Sequence, residues 1–310
     1  MKISNRNLYF STFTLCLIII LSKPLRDLFA YSWDPENVAS SHILLIPFIT
    51  AALFYWNRQS IFRTVSYAVI PGAFVMAAGL ALWAVTLFVW RNQLKFENQL
   101  VLLTTSFVVM WIGGFLCFYG SKAFRAGLFP LLFLSFLIPI PPFALDRIVT
   151  FLQYKSADTA YALLRASLTP IYREGVQFTL PNIVVVVARE CSGIRSGISL
   201  VISCLLAGYM FLRTGWRRFA LIPIAVPILI FKNGLRIATL SYLAVHVNPE
   251  ILRSQLHKEG GIPFFVLALL LMYPFLRAFM KWEERSAALK RRGPQGFAMA
   301  PASVSDEDLV

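Results

Sequence analysis

Fifty-eight per cent of the 310 residues are hydrophobic and 14% are charged, against about 25% charged in soluble domains. Long apolar runs joined by short basic segments exclude a large soluble core and indicate a polytopic membrane protein. The net charge of +14 collects on one side of the expected spans, so it reads as a topology signal, and no nucleic-acid partner is expected.

In chain order, apolar runs predict spanning helices over roughly 8–22, 42–56, 67–90, 98–118, 127–143, 193–212, 219–245 and 262–280. The first run lacks a small-residue cleavage exit and more spans follow it, so no cleavable signal peptide is expected. Between the fifth and sixth runs, residues 145–167 space Leu145, Ile148, Leu152, Ala160, Leu163 and Leu164 as a helix lying at the interface would. Gly175 and Pro181-Asn182 then punctuate two β-rich stretches, read as a hairpin of 172–180 against 183–188. The fold class expected is therefore an all-α polytopic membrane protein: about eight transmembrane helices, an interfacial helix, and a small extracytoplasmic β-hairpin before helix six. Residues 1–282 are expected to form the integral-membrane unit. Residues 283–310, small and polar toward their end, are expected to be a disordered cytoplasmic tail.

Lys and Arg placement orients the chain. With the N-terminus cytoplasmic, the inside segments up to Arg218 carry Arg58, Arg63, Lys122, Arg125, Arg213 and others, and no Asp or Glu. An even number of spans returns the basic C-terminal segment to the same side. The protein is thus placed in the cytoplasmic (inner) membrane with both termini cytoplasmic.

Ionisable groups within or beside spans are costly, so each is a functional candidate. Three clusters stand out: Glu190-Cys191-Ser192-Gly193-Ile194-Arg195, then Lys232, Asn233 and Arg236 in the seventh run, then His257-Lys258-Glu259 before the eighth. Arg236 lies 17 residues beyond Phe219, roughly 25 Å at helical rise in a core about 30 Å thick. All three clusters therefore fall at the extracytoplasmic face. A thiol, a guanidinium and an imidazole together suit acyl transfer. Cys191 is the nucleophile, with a thiol acidified by the start of helix six and by cations such as Arg195 and Arg236. Ser192 is placed to cap that helix and Gly193 to allow close backbone approach. Arg236 could hold thiolate, oxyanion or substrate backbone, and His257 could pass the proton to the leaving amine.

Plain readings stand beside these. A membrane cysteine is commonly packing, as expected for Cys16, Cys117 and Cys204; Arg236 could be a snorkelling arginine; His257 could be an ordinary loop residue. His246 and His42 are rival bases. The four cysteines show no C-x-x-C pair, so neither a disulfide framework nor a zinc site is expected, and no metal or organic cofactor is called for.

The run V-A-R-E-C-S-G-I-R-S resembles the nucleophile motif of the exosortase/archaeosortase family of polytopic membrane transpeptidases. F-K-N-G-L-R-I and L-H-K-E-G-G resemble its second and third motifs, and S-H-I-L-L-I-P an early segment in which Ile43 stands where glycine is expected. The resemblance covers about residues 30–280. It implies Cys191 as nucleophile, Arg236 as stabilising cation and His257 as acid/base; Ser192, Gly193, Arg195 and Asn233 are supporting candidates from the polar clusters themselves. It also implies partners: exported proteins bearing a C-terminal Pro-Glu-Pro-like motif, a membrane span and a basic tail, in exopolysaccharide-associated sorting. Arg189-Glu190 depart from the small residue expected before the cysteine, and the extra extracytoplasmic domain of some relatives is not expected here. The alternative from another class is a transporter or flippase whose polar span residues line a translocation path; a non-catalytic scaffold for polysaccharide export is a further one.

Overall fold

The computed structural model describes residues 5–35, 37, 39–181, 183–248 and 261–292. Helices α1 (Asn5–Ile20) and α2 (Ser22–Trp33) meet at a 72° bend. Pro24 explains the break: it cannot donate to the Ile20 carbonyl and its ring crowds that oxygen. A short 3-10 turn (Ser41–Leu45) leads into α3 (Ile46–Trp56), and α4 (Arg58–Ile61) connects it to α5 (Val69–Phe88). Helix α6 (Phe96–Ala126) returns antiparallel to α5, kinked at Gly120. The two approach closely because small residues line their seam. A Cβ on Gly113 would lie 2.7 Å from the Met76 backbone nitrogen, and one on Gly79 would lie 2.7 Å from Met110 Cγ. Between apolar helices in lipid, such contact replaces the missing hydrophobic drive.

Helix α7 (Leu128–Phe133) and its 3-10 extension to Leu137 stop at Pro139, Pro141 and Pro142, whose missing donors end the ladder. The chain turns by 88° into α8 (Pro142–Ala166). Of the expected interfacial face, Leu152, Ala160 and Leu164 are buried, whereas Ile148 is 40% exposed. The packed face also takes in Val149, Ser156 and Ala157, whose small side chains admit a crossing helix. That helix is α10 (Gly215–His246), where a Cβ on Gly234 would sit 2.5 Å from Thr159 Cβ.

The expected two-stranded hairpin is a three-stranded antiparallel sheet. Strand β1 (Tyr172–Glu174) pairs with β2 (Gln177–Leu180), which pairs with β3 (Ile183–Val186). Gly175, at φ +59°, turns the chain inside what reads as one strand. Phe178, Leu180 and Val187 bury against Ala157, Ala160 and Leu164 of α8 and Ile237 and Ala238 of α10. Helix α9 (Ile194–Phe211) follows, then α10, then α11 (Gly261–Arg292).

Among the described residues, α5, α6, α9, α10 and Gly261–Ala288 of α11 are long and apolar enough to cross a membrane, or seven spans result if each bent pair is one. The described residues thus hold five to seven candidate spans where eight were expected. Ser41–Trp56 is an apolar helix of less than spanning length, and the run from 127 bends at its prolines rather than continuing. The chain is an all-helical multi-pass membrane protein with one small sheet.

Candidate active site

Helix α8 is the platform on which the cysteine segment is mounted. Its side chains meet that segment, Asn233 of α10 and Arg173 of β1 at positions spread along about 18 Å of helix axis. Asp146 pairs with Arg189, Gln153 Nε2 donates to the Val187 carbonyl at 2.5 Å, Ser156 accepts from Asn233 at 3.0 Å, and Asp158 takes Arg173 at 2.8 Å. Arg189, whose role the sequence leaves open, thus straps the cysteine turn to α8.

The cysteine lies in a 3-10 turn, Arg189–Ser192, held by Cys191 N–H donating to the Ala188 carbonyl at 3.0 Å. Gly193 then takes φ +81°, the left-handed region, and caps α9 with its carbonyl accepting from Gly197 at 2.8 Å. This corrects the expected cap. Ser192 makes no side-chain cap bond; its hydroxyl is fully buried with no hydrogen-bond partner among the described residues. A sharp turn needs a positive φ, which Gly193 adopts without steric cost and Ser192 would not.

Facing this turn is the F-K-N-G-L-R face of α10. Asn233 is fully buried and its Nδ2 donates to the Cys191 carbonyl at 2.8 Å and to Ser156 Oγ. One amide thereby ties the cysteine turn to both α8 and α10. The fit is close: a Cβ on Gly193 would come within 2.9 Å of the Asn233 amide. Lys232, 2% exposed, donates to Ser196 Oγ, which in turn donates to the Gly193 carbonyl at 3.0 Å. No carboxylate lies within ion-pair distance of Lys232 among the described residues. It belongs with the site, and the Lys232/Arg236 spacing of four, one helix face, is the signal that carries it.

Cys191 and Arg236, 45 positions apart in the chain, line one cavity of about 40 Å³ with Val185, Val187, Ile237 and Ser241. That is room for a water molecule rather than a peptide. The remaining candidates divide. Arg195 is exposed on α9 and does not line the cavity. His246 is exposed at the end of α10, stacked on Tyr242 at 4.1 Å, about 15 Å along the helix beyond Arg236. His42 lines a different cleft, of about 750 Å³, with Arg147, Ile194 and Gly197. His257 lies outside the described residues. No group of three or more His, Cys, Asp or Glu able to hold a metal occurs among the described residues.

The helix bundle is that of a multi-pass membrane protein, with a thiol and a guanidinium lining one cavity. Residues 33–297 match the family model described as transmembrane exosortase (Exosortase_EpsH), and the chain belongs to that family. Exosortases are membrane cysteine transpeptidases, so membership supports a membrane transpeptidase role in general. No curated protein and no solved structure matches the chain.

Proposed function

We propose that the protein is a cysteine transpeptidase that cuts the C-terminal sorting signal of exported proteins at the extracytoplasmic face of the inner membrane. The observation that carries this reading is the shared cavity of Cys191 and Arg236. His257 takes the Cys191 thiol proton and the thiolate adds to the scissile carbonyl, whose π electrons move onto oxygen; the carbonyl re-forms as the C–N bond breaks, and the departing amine takes that proton from His257. Arg236, permanently charged, holds the developing oxyanion beside the sulfur. An acceptor nucleophile then gives its proton to His257 as it attacks the thioester, and sulfur leaves as thiolate, which His257 reprotonates. The substrate is an exported protein with a Pro-Glu-Pro-like motif, a membrane span and a basic tail, and its sorting accompanies exopolysaccharide production. Residues 1–282 carry the activity, and the chain that follows them lies on the cytoplasmic side.

Cys191→Ala in the host, with a tripartite-tail protein followed by blot, tests the assignment. Uncut precursor is expected to accumulate, as it is for Arg236→Ala and His257→Ala, whereas His246→Ala is expected to process normally. Normal processing by Cys191→Ala would sink the enzyme reading and favour a transporter or a scaffold, neither of which needs the thiol.

A further inference from the structure

At the end of the bundle away from Cys191 lies the roomiest cleft described, about 990 Å³, between α3 and α7 on one side and the close of α9 and start of α10 on the other. Tyr209, on its wall, is 15 residues along α9 from Ile194, so the cleft stands about 22 Å from the cysteine turn. Its lining is mostly apolar, with Leu53, Leu132 and Leu206 among it, and carries the polar groups of Trp56, Asn57, Arg125 and Arg218. No Asp or Glu lines it. Glu283, which reaches this end of the molecule, is occupied by the backbone N–H groups of Arg213 and Thr214 at 2.9 and 2.7 Å, with Arg217 3.8 Å away.

One of the two cations is held in place by its neighbours. Arg218 donates from Nε to the Leu212 carbonyl at 2.8 Å and lies over the Tyr209 ring, 5.1 Å from its centroid. Tyr209 stacks flat on Phe129, centroids 3.8 Å apart and planes 4° from parallel. Arg125 stands four residues before Phe129, exposed at the end of α6. The ring stack therefore bridges the two walls, with one arginine from each wall at the mouth. A cationic rim with Trp and Tyr over an apolar slot matches an amphiphile that places an anion at the membrane interface and hydrocarbon below it.

We propose that this cleft binds an anionic phospholipid, the phosphate between Arg125 and Arg218 and an acyl chain in the apolar slot. The bound lipid joins the α1–α7 half of the bundle to the α8–α11 half.

The test uses the full chain purified in neutral detergent, with phosphatidylglycerol, phosphatidylcholine or inorganic phosphate added. Bound lipid is read by native mass spectrometry and unfolding by thermal melting. Phosphatidylglycerol is expected to be retained and to raise the melting temperature, while phosphatidylcholine and inorganic phosphate do neither. Arg125→Gln is expected to weaken phosphatidylglycerol binding roughly fivefold, and R125Q/R218Q by a further similar factor. Arg125 is exposed, so R125Q alone decides the matter if loss of the Arg218–Leu212 bond prevents folding. Arg58→Gln, a control outside the cleft on the Tyr55 ring, is expected to bind as the parent does. Equal retention of phosphatidylcholine, an equal effect of phosphate alone, undiminished binding by R125Q, or a lipid-independent dimer would overturn the proposal.

Discussion

Two residues decide how the thiol is held, and only one is conspicuous in the sequence. Gly193 combines φ +81° with an Asn233 amide 2.9 Å from where a Cβ would lie. Gly193→Ala therefore incurs about 1–2 kcal/mol of backbone strain and pushes Asn233 off the Cys191 carbonyl. Processing of a reporter substrate is expected to fall at least tenfold while membrane insertion persists. Lys232 behaves differently. A buried ammonium without a carboxylate partner opposes folding, so Lys232→Met is expected to leave the melting temperature unchanged or raised. The same change removes the donor to Ser196 and loosens the Gly193 carbonyl, so processing is expected to slow about tenfold. A fall in melting temperature with unchanged turnover would show Lys232 to be structural instead. Cys191 and Arg236 stood out as candidates because each is out of character in an apolar run. The Ser192 cap was misread because helix-cap preference ignores the positive φ that only the turn geometry requires.

At the scale of elements, α8 matters more than its amphipathic pattern suggests. Its exposed Asp146–Arg189 pair, with side chains 66% and 54% accessible, guides the cysteine turn but holds little energy. Arg189→Ala is expected to cost below about 1 kcal/mol. The sheet's anchorage is stronger: Phe178 is fully buried against α8 and α10. Phe178→Ala is expected to cost about 3–5 kcal/mol, and thermal melts of the two variants in detergent measure the contrast. The β-rich composition of 172–188 announced extended structure before α9, yet Gly175 makes its first stretch into two strands. Alternation in a short run cannot distinguish a turn from a continuation; the pairing of Glu174 with Gln177 can.

For the whole molecule, the distribution of Lys and Arg predicts opposite sides for the sheet and for the α9–α10 connection. In a background lacking the four native cysteines, Thr179→Cys on the exposed face of β2 is expected to react with an impermeant maleimide from outside the cell. Gly215→Cys, where a Cβ meets nothing within 4 Å, is expected to react only after permeabilisation. The reverse pattern would invert the orientation. The sequence alone determined the membrane class and the polar clusters, because hydropathy and charge act over a few residues and need no partner. It could not determine the span count, since prolines at 139, 141 and 142 bend a run that composition leaves straight. Nor could it place Asn233 on the Cys191 carbonyl or join Cys191 to Arg236 in one cavity. Those contacts bridge about 40 residues and exist only because Gly234 lets α10 lie close against α8.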